Sequence, residues 1–201
     1  MEHLIQCLKS LNSKERFFLL GHVFDNPAFL IAPNFRSELK DILGIKIPED
    51  AFAAMDYHLD WLYASLIWAE DYEKKGETYR RDEIIKGTQE DIDFLIAFDD
   101  AKTDISHIIF IEAKGVTGWD EEQMKSKQKR LKNIFGAEGN RYDLVIPHFI
   151  MISPKPPEND YPEWKWLLLP VPEKLNKVTR CTECGKNDIN GTHWKIVERK
   201  Y

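Results

Sequence analysis

The sequence of this 201-residue chain predicts a single α/β domain with a mixed central sheet flanked by helices. Residues 91–98 alternate apolar and other side chains at the period of a strand, and residues 107–114 form the nearly continuous apolar run of a strand covered on both faces. A third apolar strand is predicted over 144–152, after an amphipathic helical segment. We therefore expect a core over 47–153 between an N-terminal helical extension (1–46) and a β-rich C-terminal one (154–201).

Composition limits the class of protein. With 43% hydrophobic and 31% charged residues, and no apolar run near the roughly 20 residues of a membrane span, the chain is expected to be globular, without membrane contact and cytoplasmic. An odd count of three cysteines fits a reducing compartment. A net charge of −6 argues against coating nucleic acid by bulk electrostatics, although basic residues concentrate over 174–201 and allow a local basic surface.

The N-terminal extension is predicted to be helical. Ser13 is a candidate N-cap for a short helix that carries Phe17 on its apolar side. A second helix is expected to begin near Pro33 and to stop at Gly44, since proline favours the first turn and glycine the position after the last.

Residues 48–68 give the longest helical pattern, with Phe52, Met55, Leu59, Leu62 and Leu66 at helical spacing. Asp60 lies beside this stripe, either as a solvated charge or as a minor site residue. A weak strand is predicted over 79–86.

Glycines at 115 and 118 end the strand over 107–114, and Asp120 or Thr117 could cap the helix that follows. Gly136 is expected to end that helix. Its predicted buried side consists of Met124, Leu131, Ile134 and Phe135.

Two acidic residues and a lysine form the candidate site. Glu112 and Lys114, two apart on a strand, share a face, and Asp93 on the preceding strand can supply a second carboxylate. Mg²⁺ or Mn²⁺ favours such oxygen ligands, and the backbone carbonyl of Ala113 could add another. Asp93 and Glu112 would hold the metal, while Lys114 would position water or offset charge in phosphodiester hydrolysis. The alternative is a structural ion pair of Lys114 with Glu112 or with Asp93.

The acid–x–lysine triplet alone means little, because it also occurs at 38–40, 73–75, 100–102 and 198–200. Its context distinguishes Glu112, which ends an apolar strand where an unpaired carboxylate would be unfavourable. With the aspartates at 91 and 93 and the helix that follows, this region, about half the chain from 48 to 152, resembles the PD-(D/E)XK, or restriction-endonuclease-like, nuclease superfamily.

That resemblance implies a core of helix, three strands, helix and strand. It matches Asp93 to the first acidic position, Glu112 to the second and Lys114 to the lysine. The chain has Ile92 where the family pattern has proline, and Asp91 leaves the first acid open between two residues.

The helix after the site strand carries further candidates. Members of the family often have a glutamine or lysine there, and Gln123, Lys127 and Arg130 share one side and could reach phosphate oxygens. A solvated helix face is the alternative. Gln123 is the best of the three because it lies in the first turn, and Trp119 is a candidate for substrate contact.

The C-terminal extension contains a C-x-x-C motif at Cys181 and Cys184, with His193 downstream. These residues give three of the four ligands of a structural zinc site, and two free thiols in a turn are the alternative.

The leading hypothesis is a Mg²⁺- or Mn²⁺-dependent nuclease acting on nucleic acid, with DNA as the expected substrate and endonuclease cleavage as the expected mode. The alternative is a catalytically silent nuclease-fold protein that binds nucleic acid or another protein. A homodimer is a further expectation, since cutting both strands of a duplex often uses two active sites.

Overall fold

The computed structural model describes residues 3–74, 76, 84, 90–114, 119–153 and 166–170, and the backbone of 178–180 and 194–196. Within these residues the chain forms an α/β fold with five helices and a five-stranded sheet. The helices are α1 (Leu4–Leu11), α2 (Glu15–Val23), α3 (Pro33–Leu43), α4 (Leu59–Glu70) and α5 (Glu121–Phe135).

The main sheet is open and mixed, with its strands in the order in which they occur along the chain. Neighbouring strands are antiparallel from the first to the third and parallel from the third to the fifth. The five strands are β1 (Phe52–His58), β2 (Asp91–Asp100), β3 (Ile105–Ala113), β4 (Val145–Ser153) and β5 (Trp166–Pro170). A separate antiparallel pair is formed by β6 (Val178–Arg180) and β7 (Trp194–Ile196).

The core has two parts, one on each face of the sheet. One face packs against α1, α4 and α5, and Leu8, Leu62 and Leu131 represent these helices in the cluster around Phe110. The opposite face packs against α3 through Leu39. Helices on both faces leave β3 covered on each side, which explains its nearly unbroken apolar sequence.

The two predicted N-terminal helices are present as α2 and α3. The bounds predicted for α3 are confirmed, since it starts at Pro33 and Gly44 follows it with a φ of 71°. Ser13 is wrong as the N-cap of α2, because Lys14 occupies that position without a side-chain cap hydrogen bond. The Lys14 ammonium instead donates to the Asp91 carboxylate at 2.7 Å, which fixes the entry to the helix through a tertiary contact.

The long helix predicted over 48–68 is wrong in its first half, where β1 pairs with β2. The physical reason is burial on both faces. Phe52 and Ala54 belong to one core cluster and Ala53 to the other, so the strand is apolar on both sides and also satisfies a helical spacing. The helix begins only at Leu59, as α4.

The predictions for the helix and strand after β3 are confirmed. Asp120 is the N-cap of α5, all four residues of its predicted buried side are buried, and Gly136 follows its last turn. The strand predicted over 144–152 is β4. The strand expected over 79–86 lies outside the described residues.

The segment 166–170 lies beyond the core boundary expected at 153, yet it forms the outer strand β5 beside β4. None of the helices in the described parts of the chain combines the length and apolar composition needed to cross a membrane.

Candidate functional site

The candidate site lies where β2 begins and β3 ends. The last ladder pair of these strands joins Phe94 to Ile111, so one further step in the same register brings Asp93 opposite Glu112. The Asp93 Oδ2 accepts a hydrogen bond of 2.8 Å from the backbone N–H of Ala113. The strand pairing that the sequence predicted therefore places the two carboxylates side by side, and the Asp93 side chain continues the strand pairing.

Glu112 is fully buried, and its partner is a lysine from the following helix. The Lys127 ammonium donates to Oε1 of Glu112, and the lysine itself is only 3% exposed. The other carboxylate oxygen, Oε2, is buried and has no hydrogen-bond partner among the described residues. A buried carboxylate with one partnerless oxygen is an unfavourable arrangement unless another group binds there.

The environment of Glu112 changes its acidity. Burial raises the pKa of the Glu112 carboxyl to about 7, and the negative charge of Asp93 acts in the same direction. The Lys127 ammonium and the nearby backbone N–H of Asp93 oppose both effects. Strongly shifted carboxyl groups are common at functional sites, although buried ion pairs also produce them.

Lys114 directly follows β3 and is partly exposed, and its ammonium lies 3.3 Å from Oε1 of Gln123. Gln123 is held in the first turn of α5, where its backbone N–H donates to Oδ1 of the N-cap Asp120 at 3.0 Å. The structure thus brings Lys114 and Gln123 together, as a polar pair beside the buried Glu112. The ion pair of Glu112 with Lys114, which the sequence left open, is replaced by the pair with Lys127.

Asp91, the other aspartate at the start of β2, has a different environment. Its Oδ2 accepts from Lys14 at 2.7 Å, and its Oδ1 contacts Nδ1 of His58 on the neighbouring strand β1. Oδ2 is thus hydrogen-bonded away from Glu112, whereas Oδ1 lies against His58 without a hydrogen bond among the described residues. Of the two aspartates, only Asp93 lies opposite Glu112 in the strand register.

Arg130 and Trp119, two further candidates, are packed into the protein. Arg130 is buried, and its guanidinium contacts Oδ1 of Asp60 at 3.4 Å and Oε2 of Glu90 at 3.6 Å. Trp119 is partly buried and packs against the main core cluster, and its indole N–H has no hydrogen-bond partner among the described residues. Arg130 ties α5 to α4 through Asp60 and does not form a solvated face.

Lys127 is the residue whose position sequence reasoning missed. The sequence predicts Lys127 beside the buried stripe, either within reach of a phosphate or on a solvated face, yet it lies three residues after Met124 and four before Leu131, both buried. Helical spacing alone places it on the buried stripe. A lysine within an apolar helical stripe could have indicated this position, because a buried lysine requires an acidic partner.

The carboxylate oxygens of Asp93 and Glu112 are ligands of the kind that a hard divalent cation such as Mg²⁺ prefers. Asp93 and the partnerless Oε2 of Glu112 are carboxylate oxygens from neighbouring rigid strands, and such a cation needs only one or two carboxylates when waters and phosphate complete its shell. Among the described residues, His, Cys, Asp and Glu side chains form no group of three or more with metal-binding geometry. The zinc candidates Cys181, Cys184 and His193 lie outside the described residues.

Comparison of the chain with family models, with curated proteins and with solved structures finds no match in any of the three.

Proposed function

We propose that this protein is a metal-dependent nuclease that hydrolyses phosphodiester bonds of nucleic acid, with DNA as the expected substrate and internal cleavage as the expected mode. One observation carries the proposal: Asp93 lies opposite a fully buried Glu112 whose Oε2 has no hydrogen-bond partner among the described residues. Burying an acidic group with one oxygen unpaired is unfavourable, which favours a ligand at this position over a purely structural role.

Asp93 and Glu112 would hold Mg²⁺ or Mn²⁺, and the backbone carbonyl of Ala113 is a third candidate ligand. A divalent cation there would supply positive charge that polarises the phosphoryl group of the substrate. Asp93 is oriented by the Ala113 N–H, and Glu112 is oriented by Lys127. Both carboxylates are thus fixed before substrate arrives, which reduces reorganisation during the reaction.

Lys114 and Gln123 form the polar, accessible side of the site. The Lys114 ammonium can donate to a phosphate oxygen or orient an attacking water, and it offsets negative charge that develops in the transition state. The Gln123 amide can hold the same water or a neighbouring phosphate. Their contact of 3.3 Å positions the two donors together at the start of α5.

The described order of elements agrees with the PD-(D/E)XK resemblance in β2, β3, α5 and β4. From α4 onward the described chain runs α4, β2, β3, α5, β4, with β2 and β3 antiparallel and β4 parallel to β3. The resemblance implies one more strand before β2, in the region of 79–86. In the described chain, β1 lies beside β2 and is antiparallel to it, although β1 precedes α4 in the sequence.

The test is cleavage of plasmid DNA, single-stranded DNA and RNA in the presence of Mg²⁺ or Mn²⁺. Asp93→Asn, Glu112→Gln and Lys114→Met are each expected to lower the cleavage rate by about 100-fold or more, because each removes a fixed charge at the reacting phosphate. Circular dichroism and thermal unfolding would establish that each variant is folded.

Matched controls come from the β2–β3 turn, at the other end of the same two strands. Asp104→Asn and Lys102→Met change the same residue types at exposed positions and are expected to leave cleavage unchanged. Asparagine tolerates the positive φ of 54° at Asp104, so this control adds little strain. Cleavage that survives Glu112→Gln would contradict the proposed mechanism.

A second candidate is a nuclease-fold protein that binds nucleic acid or another protein without cutting. The observation that favours it is the buried ion pair itself, since Lys127 already partners Glu112 and the carboxylate is closed to solvent. Retention of labelled DNA or RNA in a filter-binding assay, with no cleavage under any metal condition, would support this candidate and exclude the first.

A further inference from the structure

A positively charged side chain is built into the candidate metal site. Lys127 reaches Glu112 from the buried stripe of α5, and both residues are almost completely closed to solvent. The lysine contacts Oε1, and within the described part of the chain Oε2 has no hydrogen-bond partner. Any cation that binds at Oε2 therefore shares the carboxylate with an ammonium group.

The Lys127 ammonium lowers the net negative charge at the site where a cation would bind. Asp93 and Glu112 contribute one negative charge each when ionised, and Lys127 cancels one of them. Among the described residues, the charges of Asp93 and Lys127 act on the Glu112 carboxyl in opposite directions: Asp93 raises its pKa and Lys127 lowers it. In a buried site this charge is weakly screened, so a nearby ammonium repels a divalent cation strongly.

We propose that Lys127 makes divalent-cation binding at Asp93 and Glu112 dependent on the phosphate of the substrate. This inference rests on the proposed nuclease function. A substrate phosphate restores the negative charge that Lys127 removes, so cation and nucleic acid each tighten the binding of the other. The protein would then carry little bound metal until nucleic acid arrives, which confines hydrolytic chemistry to the complex.

The experiment measures Mn²⁺ binding through the electron paramagnetic resonance signal of the free ion. The probe is a short DNA duplex with phosphorothioate linkages, present or absent. Lys127→Gln removes the charge and keeps a hydrogen-bond donor for Oε1. Lys125→Gln is the matched control, because Lys125 lies on the same helix but is exposed and pairs with Glu121.

Without DNA, Lys127→Gln is expected to bind Mn²⁺ about tenfold more tightly than the wild type, from the loss of one repelling charge. Adding the duplex is expected to tighten Mn²⁺ binding about tenfold in the wild type and much less in Lys127→Gln. Lys125→Gln is expected to match the wild type, and Glu112→Gln to remove this binding. If Lys127→Gln does not fold, Lys127→Met serves in its place, and the wild-type comparison with and without DNA needs no variant.

Two results would overturn the inference alone: Mn²⁺ affinity in Lys127→Gln no higher than in the wild type, or equal tightening by DNA in both proteins. Wild-type cleavage that depends on Glu112 would then leave the nuclease function standing. Absence of any Glu112-dependent Mn²⁺ binding, with and without DNA, together with absence of cleavage, would overturn both.

Discussion

The buried pair of Glu112 and Lys127 allows a quantitative test of the site. In Lys127→Met the carboxylate keeps its burial and loses the one cation that is hydrogen-bonded to it among the described residues. Removing one partner of a buried ion pair lowers the free energy of unfolding by about 3–5 kcal/mol, mainly because an uncompensated charge is left behind. In Glu112→Gln/Lys127→Met both charges are gone, and most of this loss is expected to be recovered.

The loss should depend on pH. The pKa of Glu112 rises from an ordinary value of 4.5 to about 7, so between these values the folded protein holds a proton that the unfolded chain has released. This contribution to stability is fully present below pH 4.5 and is lost as the pH rises through 7. Removing Lys127 raises this pKa further. The destabilisation by Lys127→Met is therefore expected to be smaller at pH 5, where the carboxyl is neutral, than at pH 8.

Urea unfolding at both pH values measures these differences, with midpoints converted to free energies by linear extrapolation. Lys125→Met is the control, since its exposed pair with Glu121 is worth only about 0.3–0.5 kcal/mol. Two results would contradict a buried ion pair of this strength. One is a Lys127→Met variant no less stable than this control at pH 8, and the other is a double variant no more stable than Lys127→Met.

Three further substitutions change a buried hydrogen bond, a glycine with positive φ and a helix cap, and urea unfolding of each variant against the wild type measures the effect. Tyr57→Phe removes a buried hydrogen bond of 2.9 Å from the phenol to the Leu8 carbonyl and should lower stability by about 1–2 kcal/mol, and an unchanged midpoint would contradict this. Gly44→Ala should lower the free energy of unfolding by about 1 kcal/mol through backbone strain alone, since φ is 71° and nothing lies within 4 Å of an added Cβ. A more stable Gly44→Ala variant would contradict this. Asp120→Ala removes the N-cap acceptor for the Gln123 N–H and should also lower stability by about 1 kcal/mol, whereas Asp120→Asn, which retains an acceptor, should lower it less.

The parts of the site that the sequence predicted are those set by short-range geometry. Glu112 and Lys114 are two residues apart, and Asp93 comes from the strand joined to theirs by a short turn, so strand pairing brings the acids together. The cap of α5 at Asp120 could also be predicted, because capping depends on the residues next to the helix end.

In the fold, too, the elements set by local sequence were predictable. Turn residues and apolar periodicity are local properties, and they predict the α/β class, the limits of α3 at Pro33 and Gly44, and the strands β2, β3 and β4. They do not separate β1 from α4, since an apolar strand that is covered on both faces also has helical spacing.

Tertiary packing sets which lysine pairs with Glu112. Lys114, two residues away in the chain, turns to Gln123, while Lys127 reaches the carboxylate from the buried face of α5. Such a contact depends on how a helix is rotated and packed against the sheet, and it involves residues whose partners cannot be read from neighbouring positions. The acids of the site are thus a property of the strand sequence, whereas their charge balance is a property of the packing between α5 and β3.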